Sequence, residues 1–546
     1  MEYRWSRFLD TGRSHHFIYP NYLPRDLFNR HAEAFPDKPY LIFGDLQLPY
    51  SLCNSMARRL ANGLLKLGIQ KGDRVGLMAP NIPQYVIGLQ ACFKLGVIAV
   101  PTNPLYTAPE IKHQFCDSDA ETVIVMAPFA DKVISVMKSG ESPVKRVIAI
   151  QVKSMPVQLE QLPGVFDFDE IMASGEDIEP DIEVSQDDIA LLQYTGGTTG
   201  VAKACMLTNF NIVAMGYALG DGVNGLVARA KVRAMAAIPV YHIYGFNCNI
   251  NLCLYGGGTI ILVAQPTVDN LLDNINKHEP NIFASVPAML IGLNNHPDTP
   301  TSKIKSIDSV FCGSAPLPAD VFKRFEELSG ARITEGYGMS ETVNIVTSIP
   351  FFTRRKIGSI GIPYPDVEIK IMDSETGTQE MPIGEPGELV CKGPQVMKGY
   401  WRNPEETANV MRDGWLYTGD IAYMDEDGFL FIVDRKKDMI IVNGFNVFPR
   451  DVDEVLFAHP KVLEACTIGV PDGKQGESIK IFVVVKPGET LTEEEIIQHC
   501  RQSLAPYKIP KLVEFVAAVP RTSVGKVDRK EIRRMEMEKR NNSAEQ

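Results

Sequence analysis

Residues 189–209 read IALLQYTGGTTGVAKACMLTN. An apolar run, 189–194, gives way to a loop in which positions 193–209 hold three glycines, four threonines and one lysine. A loop both flexible and densely hydroxylated, directly after an apolar run, raises the expectation of an oxygen-rich ligand. Glycines let backbone N–H groups come close to a ligand and take φ values that other residues avoid. Threonine hydroxyls add donors, and Lys203 adds positive charge beside them. The chemistry suits a polyphosphate, although no G-x-x-x-x-G-K-[ST] spacing can be drawn through the loop. Taken alone, it reads equally as a phosphate cradle or an ordinary turn.

Outward from this loop, β-branched runs alternate with helical stretches. DRVGLMAP (73–80), ETVIVMAP (121–128) and KRVIAIQ (145–151) read as strands, as do VRAMAAIPV (232–240), GGTIILVA (257–264), NIFASVPAML (281–290) and SIDSVFCGSAP (306–316). Such alternation predicts an α/β protein of mainly parallel, helix-covered sheets, with ligands at the carboxyl ends of strands. ASGEDIEPDIEVSQDD (173–188) reads as an acidic surface connection. After about residue 385 the character changes to hairpin strands with two intervening helices, which predicts a small appended α+β domain. The charged tail RKEIRRMEMEKRNNSAEQ reads as a solvated terminal helix.

Bulk properties narrow the class. A chain of 546 residues is expected to fold as two or more domains. It is 45% hydrophobic and 22% charged, the composition of a globular protein. No apolar run is long enough for a membrane span, and peripheral membrane contact stays open. The polar start MEYRWSRFLDTGRSHH lacks a secretory core, so a cytoplasmic enzyme is expected. A formal charge of −12 argues against a nucleic-acid partner. The ten scattered cysteines, without CxxC, read as buried reduced thiols, and the nine histidines show no zinc spacing.

Further stretches strengthen the phosphate reading. EGYGMSET (335–342) sets Glu341 among hydroxyls, where it suits a magnesium ion brought by a triphosphate. GWLYTGD (414–420) ends on Asp420, whose carboxylate can accept both hydroxyls of a ribose, and DRKKD (434–438) supplies Arg435. PRTSVGKVDRKE (520–531) offers Lys526 on a glycine turn, a cation able to meet developing charge.

These motifs, with CGSAPLP and KKDMIIVNGFNVFP, stand in the order found in the adenylate-forming superfamily of acyl-CoA synthetases, luciferases and adenylation domains. The chain resembles that superfamily from roughly residue 25 to 535, and KKDMIIVNGFNV resembles the bacterial medium- and long-chain fatty acyl-CoA synthetases. The resemblance implies a carboxylate attacking the α-phosphate of ATP, then coenzyme A displacing AMP from the acyl-adenylate. It assigns Thr195, Gly196, Gly197, Thr198, Thr199, Gly200 and Lys203 to the phosphates. Gly313, Ser314, Ala315 and the run Glu335, Gly336, Tyr337, Gly338 and Met339 would line the adenine. Thr198 and Glu341 would hold Mg2+, Asp420 and Arg435 the ribose. Lys526 would bridge carboxylate and α-phosphate. It further implies a large AMP- and acyl-binding domain over 1–434 and a mobile small domain over 435–546. The hinge would lie near Lys437, and rotation would carry Gly444 and Phe445 to the coenzyme A tunnel. The loop departs from the family pattern at Ala202 and Ala204, and Asn209 replaces a frequent histidine.

By the same resemblance AIPVYHIYGFNCNINLCLYGGGT (237–259) lines the acyl pocket, with His242 near the carboxylate and Phe246 as an aromatic gate. It contains no acid to pair with an amino acid's ammonium. Its apolar character suits a medium or long alkyl chain, each buried methylene contributing up to ~0.8 kcal/mol. An aryl or alicyclic acid is the alternative, and a non-catalytic nucleotide sensor a more distant one. The expected partners are small molecules only, for a monomer or homodimer.

Overall fold

The computed structural model describes residues 4–10, 15–152, 156–158, 162–195, 202–223, 230–443, 445–472, 476–521 and 527–544. Among them the chain forms four sheets. The first has seven strands, in the order Val165–Asp167, Arg146–Ile150, Thr122–Met126, Arg74–Met78, Ile98–Pro101, Ile189–Thr195, Lys203–Thr208. Every neighbour is parallel until the last pair, which is antiparallel in the register Thr195↔Lys203. The second has nine strands, with a parallel centre of Arg332–Tyr337, Ser309–Cys312, Ile282–Ser285, Arg233–Ala236, Thr259–Leu262 and Pro39–Phe43. Short antiparallel strands finish both of its edges.

Parallel strands covered on both faces are buried along their whole length. Thr122–Met126, Ile282–Ser285 and Ser309–Cys312 are buried at every residue. Helix Pro83–Leu95 lies between the two sheets, packed on Arg74–Met78 and Ile98–Pro101 of the first and on Pro39–Phe43 of the second. It is buried all round, so it shows no amphipathic stripe. Even Lys94 is enclosed there, donating to Asn29 at 2.7 Å and Glu179 at 2.6 Å. The buried Asn81 carboxamide joins the layers. Its nitrogen donates to the carbonyls of Ala236, Ile238 and Val263, and its oxygen accepts from Val240 N–H.

The expected strands sit within a few residues of the observed ones, with one difference of kind. The run 281–290 is strand only at Ile282–Ser285 and turns into helix Pro287–Asn295, where Pro287 opens the first turn. The hairpin character after 385 is shared by two sheets. Glu368–Met372, Gly387–Lys392, Met411–Arg412, Trp415–Met424 and Leu430–Arg435 make an antiparallel third sheet. A fourth combines Ile440–Val442, Phe445–Val447, Val462–Asp472 and Gly476–Val485, with Leu512–Phe515 added in parallel. Helices Pro449–Phe457 and Glu493–Ser503 cover it around Val452, Leu456, Ile496 and Cys500. The tail forms helix Arg529–Ala544, docked through buried Ile532 and the Lys480–Glu536 bond of 2.6 Å rather than fully solvated. All ten cysteines are unpaired, and nine are buried. Among the described residues no helix is long and apolar enough to cross a membrane.

Candidate active site

The opening loop leaves strand Ile189–Thr195 and returns as strand Lys203–Thr208. Gly196, Gly197, Thr198, Thr199 and Gly200 lie outside the described residues, but both loop ends are placed. Tyr194 anchors the outgoing strand, its hydroxyl donating to Asp117 at 2.6 Å. Lys203 projects beside the Tyr400 ring, 5.5 Å from its centroid, and pairs with Glu406.

Glu341 sits on a one-turn helix, Ser340–Thr342, that packs against both strands of this hairpin. Tyr400 donates its hydroxyl to Glu341 Oε1 at 2.7 Å. Burial, reinforced by the Glu341 charge, pushes the Tyr400 hydroxyl far above its ordinary pKa, so it remains a donor at any physiological pH. One tyrosine thus stands against both Lys203, at the end of the glycine-rich loop, and Glu341, the predicted metal ligand. It arrives there because residues 398–401 run beside the returning strand, with Met206 N–H on Gly399 O and Trp401 N–H on Ala204 O, both at 2.9 Å. Nothing in GYWRNPEET announces this; Tyr400 and Glu406 are the functional candidates that sequence reasoning missed.

The turn after Glu341 is tight. Val343 and Asn344 have φ of 47° and 89°, and the chain folds back so closely that a Cβ on Gly338 would lie 1.7 Å from Asn344 O. Only glycine fits at 338. The strand leading in, Arg332–Tyr337, sets Tyr337 toward the third sheet, where its hydroxyl donates to Asp420 at 2.6 Å. Asp420 is 5% exposed and faces Arg435 across the ladder, with Nε 3.3 Å from Oδ1. Asp420 and Arg435, expected to hold a ribose, are thus brought together, and Tyr337 is tied to them. Glu335 accepts from Leu317 N–H at 3.0 Å, while its second oxygen is buried without a hydrogen-bond partner; burial raises its pKa.

Gly313, Ser314 and Ala315 follow the neighbouring strand, with Ser314 at φ 72°. Tyr244 closes their floor, its hydroxyl bonded to the carbonyls of Ser285 and Phe311, each at 2.8 Å, and its ring 3.6 Å from where a Gly313 Cβ would stand. His242 caps the short helix Ile243–Gly245, its Nδ1 accepting from Tyr244 N–H at 3.2 Å. The next residues, Phe246–Asn251, form a π-helix, a geometry frequent at functional sites. Phe246 is 3% exposed. The asparagines in this apolar segment bond the chain itself: Asn249 donates to Gly245 O at 2.9 Å, and Asn251 to Ile212 O and Asn247 Oδ1, each at 2.8 Å.

Asn209 opens helix Asn209–Gly222 and donates to Ser185 O at 3.0 Å, so it braces the acidic connection. Phe445 does not join the cluster; 56% exposed, it stacks on Tyr507 at 4.8 Å within the fourth sheet's domain. Lys526 and Gly444 lie outside the described residues. Lys437 is exposed, between Lys436 and the buried Asp438.

The sequence profile of the AMP-binding enzymes matches residues 28–401, and that of the AMP-binding enzyme C-terminal domain matches 451–526. The chain belongs to the AMP-binding enzyme family. Relatives in this family include a protein of Bacillus subtilis (strain 168) named long-chain-fatty-acid–CoA ligase, 38% identical, covering 96% of both chains. A feruloyl-CoA synthase of Amycolatopsis sp is 34% identical, covering 92% of this chain and 97% of its own. Among solved AMP-binding enzymes, ATP-bound MatB from Rhodopseudomonas palustris superposes with a TM-score of 0.84 at 29% identity, covering 94% of this chain and 99% of that one. Apo MatB, with the same coverage and 30% identity, superposes with 0.74.

Proposed function

We propose that the protein activates a medium- or long-chain fatty acid as its acyl-adenylate at the expense of ATP and transfers the acyl group to coenzyme A, releasing AMP and pyrophosphate. The observation that carries this is a two-domain family match whose relative, at 38% identity over 96% of both chains, is named long-chain-fatty-acid–CoA ligase.

The roles rest on the family resemblance, supported by the geometry where the residues are described. Asp420, held by Tyr337 and Arg435, is pre-oriented to accept ribose hydroxyls. Backbone at Gly313–Ala315 and Gly336–Met339 lines the adenine, beside Glu335, whose second oxygen is buried without a hydrogen-bond partner. Lys203 exchanges Glu406 for the phosphates together with Thr195 to Gly200. His242 orients the acid's carboxylate at the mouth of the π-helix. Lys526 stabilises charge as carboxylate meets α-phosphate. Lys437 is the pivot that then brings Gly444 and Phe445 to coenzyme A.

Magnesium fits as a guest of the nucleotide. Among the described residues no three His, Cys, Asp or Glu side chains converge on a cation, so no all-protein cage exists there. Mg2+ accompanying ATP needs one or two protein oxygens, and Glu341, with one oxygen fixed by Tyr400, offers the other; Thr198 is the second donor. The ion would neutralise the phosphates during attack.

The amino-acid branch is disfavoured because 237–259 carries no acid. The feruloyl-CoA synthase relative keeps aryl acids in view. Pyrophosphate release with a panel of C2 to C18 and aryl acids, with and without coenzyme A, tests the proposal. C10–C18 acids should lead, with thioester formed only when coenzyme A is present. Preference for acetate, an amino acid or a cinnamic acid overturns the fatty-acid assignment, and absence of pyrophosphate overturns the reaction.

A further inference from the structure

We infer that Arg450 is a positioning residue that clamps the small domain to the large one across the pivot, and that this clamp opens between the two half-reactions. The inference rests on the two-step reading above. The third sheet ends at Arg435 and the fourth begins at Ile440, joined by the turn Lys436–Asp438. The two ends of that turn are tied to different bodies. Lys436 donates to Glu388 at 2.9 Å, and that nearly enclosed carboxylate is fixed in the third sheet by Gly419 N–H at 3.0 Å. Asp438, with its side chain 7% exposed, accepts from Arg533 of the terminal helix at 2.6 Å. Exposed Lys437 stands between a residue bound to the large domain and one bound to the small domain. Rotation is thereby confined to a single residue.

Arg450 bridges that point. Its backbone N–H, in the first turn of helix Pro449–Phe457, donates to Asp434 Oδ2 at 2.8 Å. Its guanidinium donates to Ile432 O at 2.7 Å and is steadied by Glu454 at 2.9 Å. Ile432 and Asp434 precede the pivot and Arg450 follows it, so no swing about Lys437 can keep both bonds. Asp434 is 6% exposed and its other oxygen already accepts from Arg435 N–H, so the clamp seats on a rigid, enclosed carboxylate. On the two-step reading, the clamped arrangement is the one in which the adenylate forms, and the swing about Lys437 that follows opens it.

The test separates the half-reactions of Arg450→Met. Adenylate formation from ATP and palmitate should slow by about tenfold, the scale of one lost bond from a charged donor. Conversion of supplied palmitoyl-adenylate and coenzyme A to thioester should be unchanged or faster, and Arg450→Lys should fall between. A readout independent of turnover uses spin labels at Glu375→Cys and Glu489→Cys in a Cys116→Ser background. Wild type should show one interdomain distance and Arg450→Met a second population. Equal slowing of both half-reactions, or identical distances, overturns the clamp. If wild type makes no palmitoyl-adenylate, the functional reading fails, and the distance measurement still decides the clamp.

Discussion

Tyr400→Phe removes one oxygen and leaves the ring. The lost atom is the donor held 2.7 Å from Glu341, while the ring beneath Lys203 stays. A hydrogen bond to a charged acceptor contributes about 1.5–3 kcal/mol, equivalent to roughly 10- to 150-fold. Partners that orient a metal ligand are worth about 10- to 100-fold in affinity or rate, a range that agrees. The variant should therefore need roughly tenfold or more magnesium for half-maximal adenylation, with a slower rate at saturation. The apparent KM for ATP at saturating magnesium should change little, because Lys203 keeps its aromatic neighbour and stays free to exchange Glu406 for the phosphates. Pyrophosphate release under single-turnover conditions, titrated with free magnesium at fixed ATP, measures both quantities. An unchanged magnesium midpoint would refute the role of Tyr400 in orienting Glu341. A large rise in KM for ATP alone would instead place Tyr400 with the phosphates.

Lys526→Ala should lose adenylation by about 10²-fold or more while still converting supplied acyl-adenylate and coenzyme A to thioester, and equal losses in both halves would sink the two-step assignment. Phe246→Ala, at a site 3% exposed, should alter the dependence of rate on acyl chain length and cost about 3–5 kcal/mol of stability, read from a C2–C18 series and denaturant unfolding. Burial lowers the pKa of Lys94 to about 8 against the pull of Glu179, so the native state disfavours the charged amine. Below pH 8 that penalty is fully present, and it fades as pH rises from about 8 toward 10.5, because the unfolded chain then binds more protons. The stability of Lys94→Met relative to wild type should therefore be most favourable at and below pH 8 and decline as pH rises toward 10.5. A gap independent of pH, followed by urea midpoint, would show that Lys94 is held without strain on its charge.

What the sequence disclosed and what it withheld divide along range. Strands such as Thr122–Met126 were legible because burial on both faces leaves a continuous β-branched run. Helix Pro287–Asn295 was hidden at the end of such a run, since an apolar helix and a buried strand share composition over so short a stretch. The motifs singled out Tyr337, Glu341 and Asp420, but only the resemblance gave them roles. The Tyr337–Asp420 bond, the Tyr400–Glu341 bond and the Lys203–Glu406 pair join residues far apart in the chain, and no local period encodes them. The clamp at Arg450 is legible only once strand Leu430–Arg435 and helix Pro449–Phe457 are seen side by side.

The hairpin of Pro39–Phe43 and Leu46–Pro49 closes the edge of the second sheet, yet its parallel neighbour there is Thr259–Leu262, in the register Leu41↔Ile260. On a ribosome adding about 5–20 residues per second, that partner emerges roughly 10–45 s after the hairpin does. Throughout that interval Leu41 and Ile42 present an unpaired, apolar edge to whatever surrounds the nascent chain. The seven-stranded sheet needs nothing beyond Thr208 and can assemble first, leaving the hairpin outside it. Truncations that stop between the two, near residue 225 for instance, will complete one sheet and still carry a sticky strand from the other, so fragments cut at that apparent boundary should aggregate where the intact chain does not.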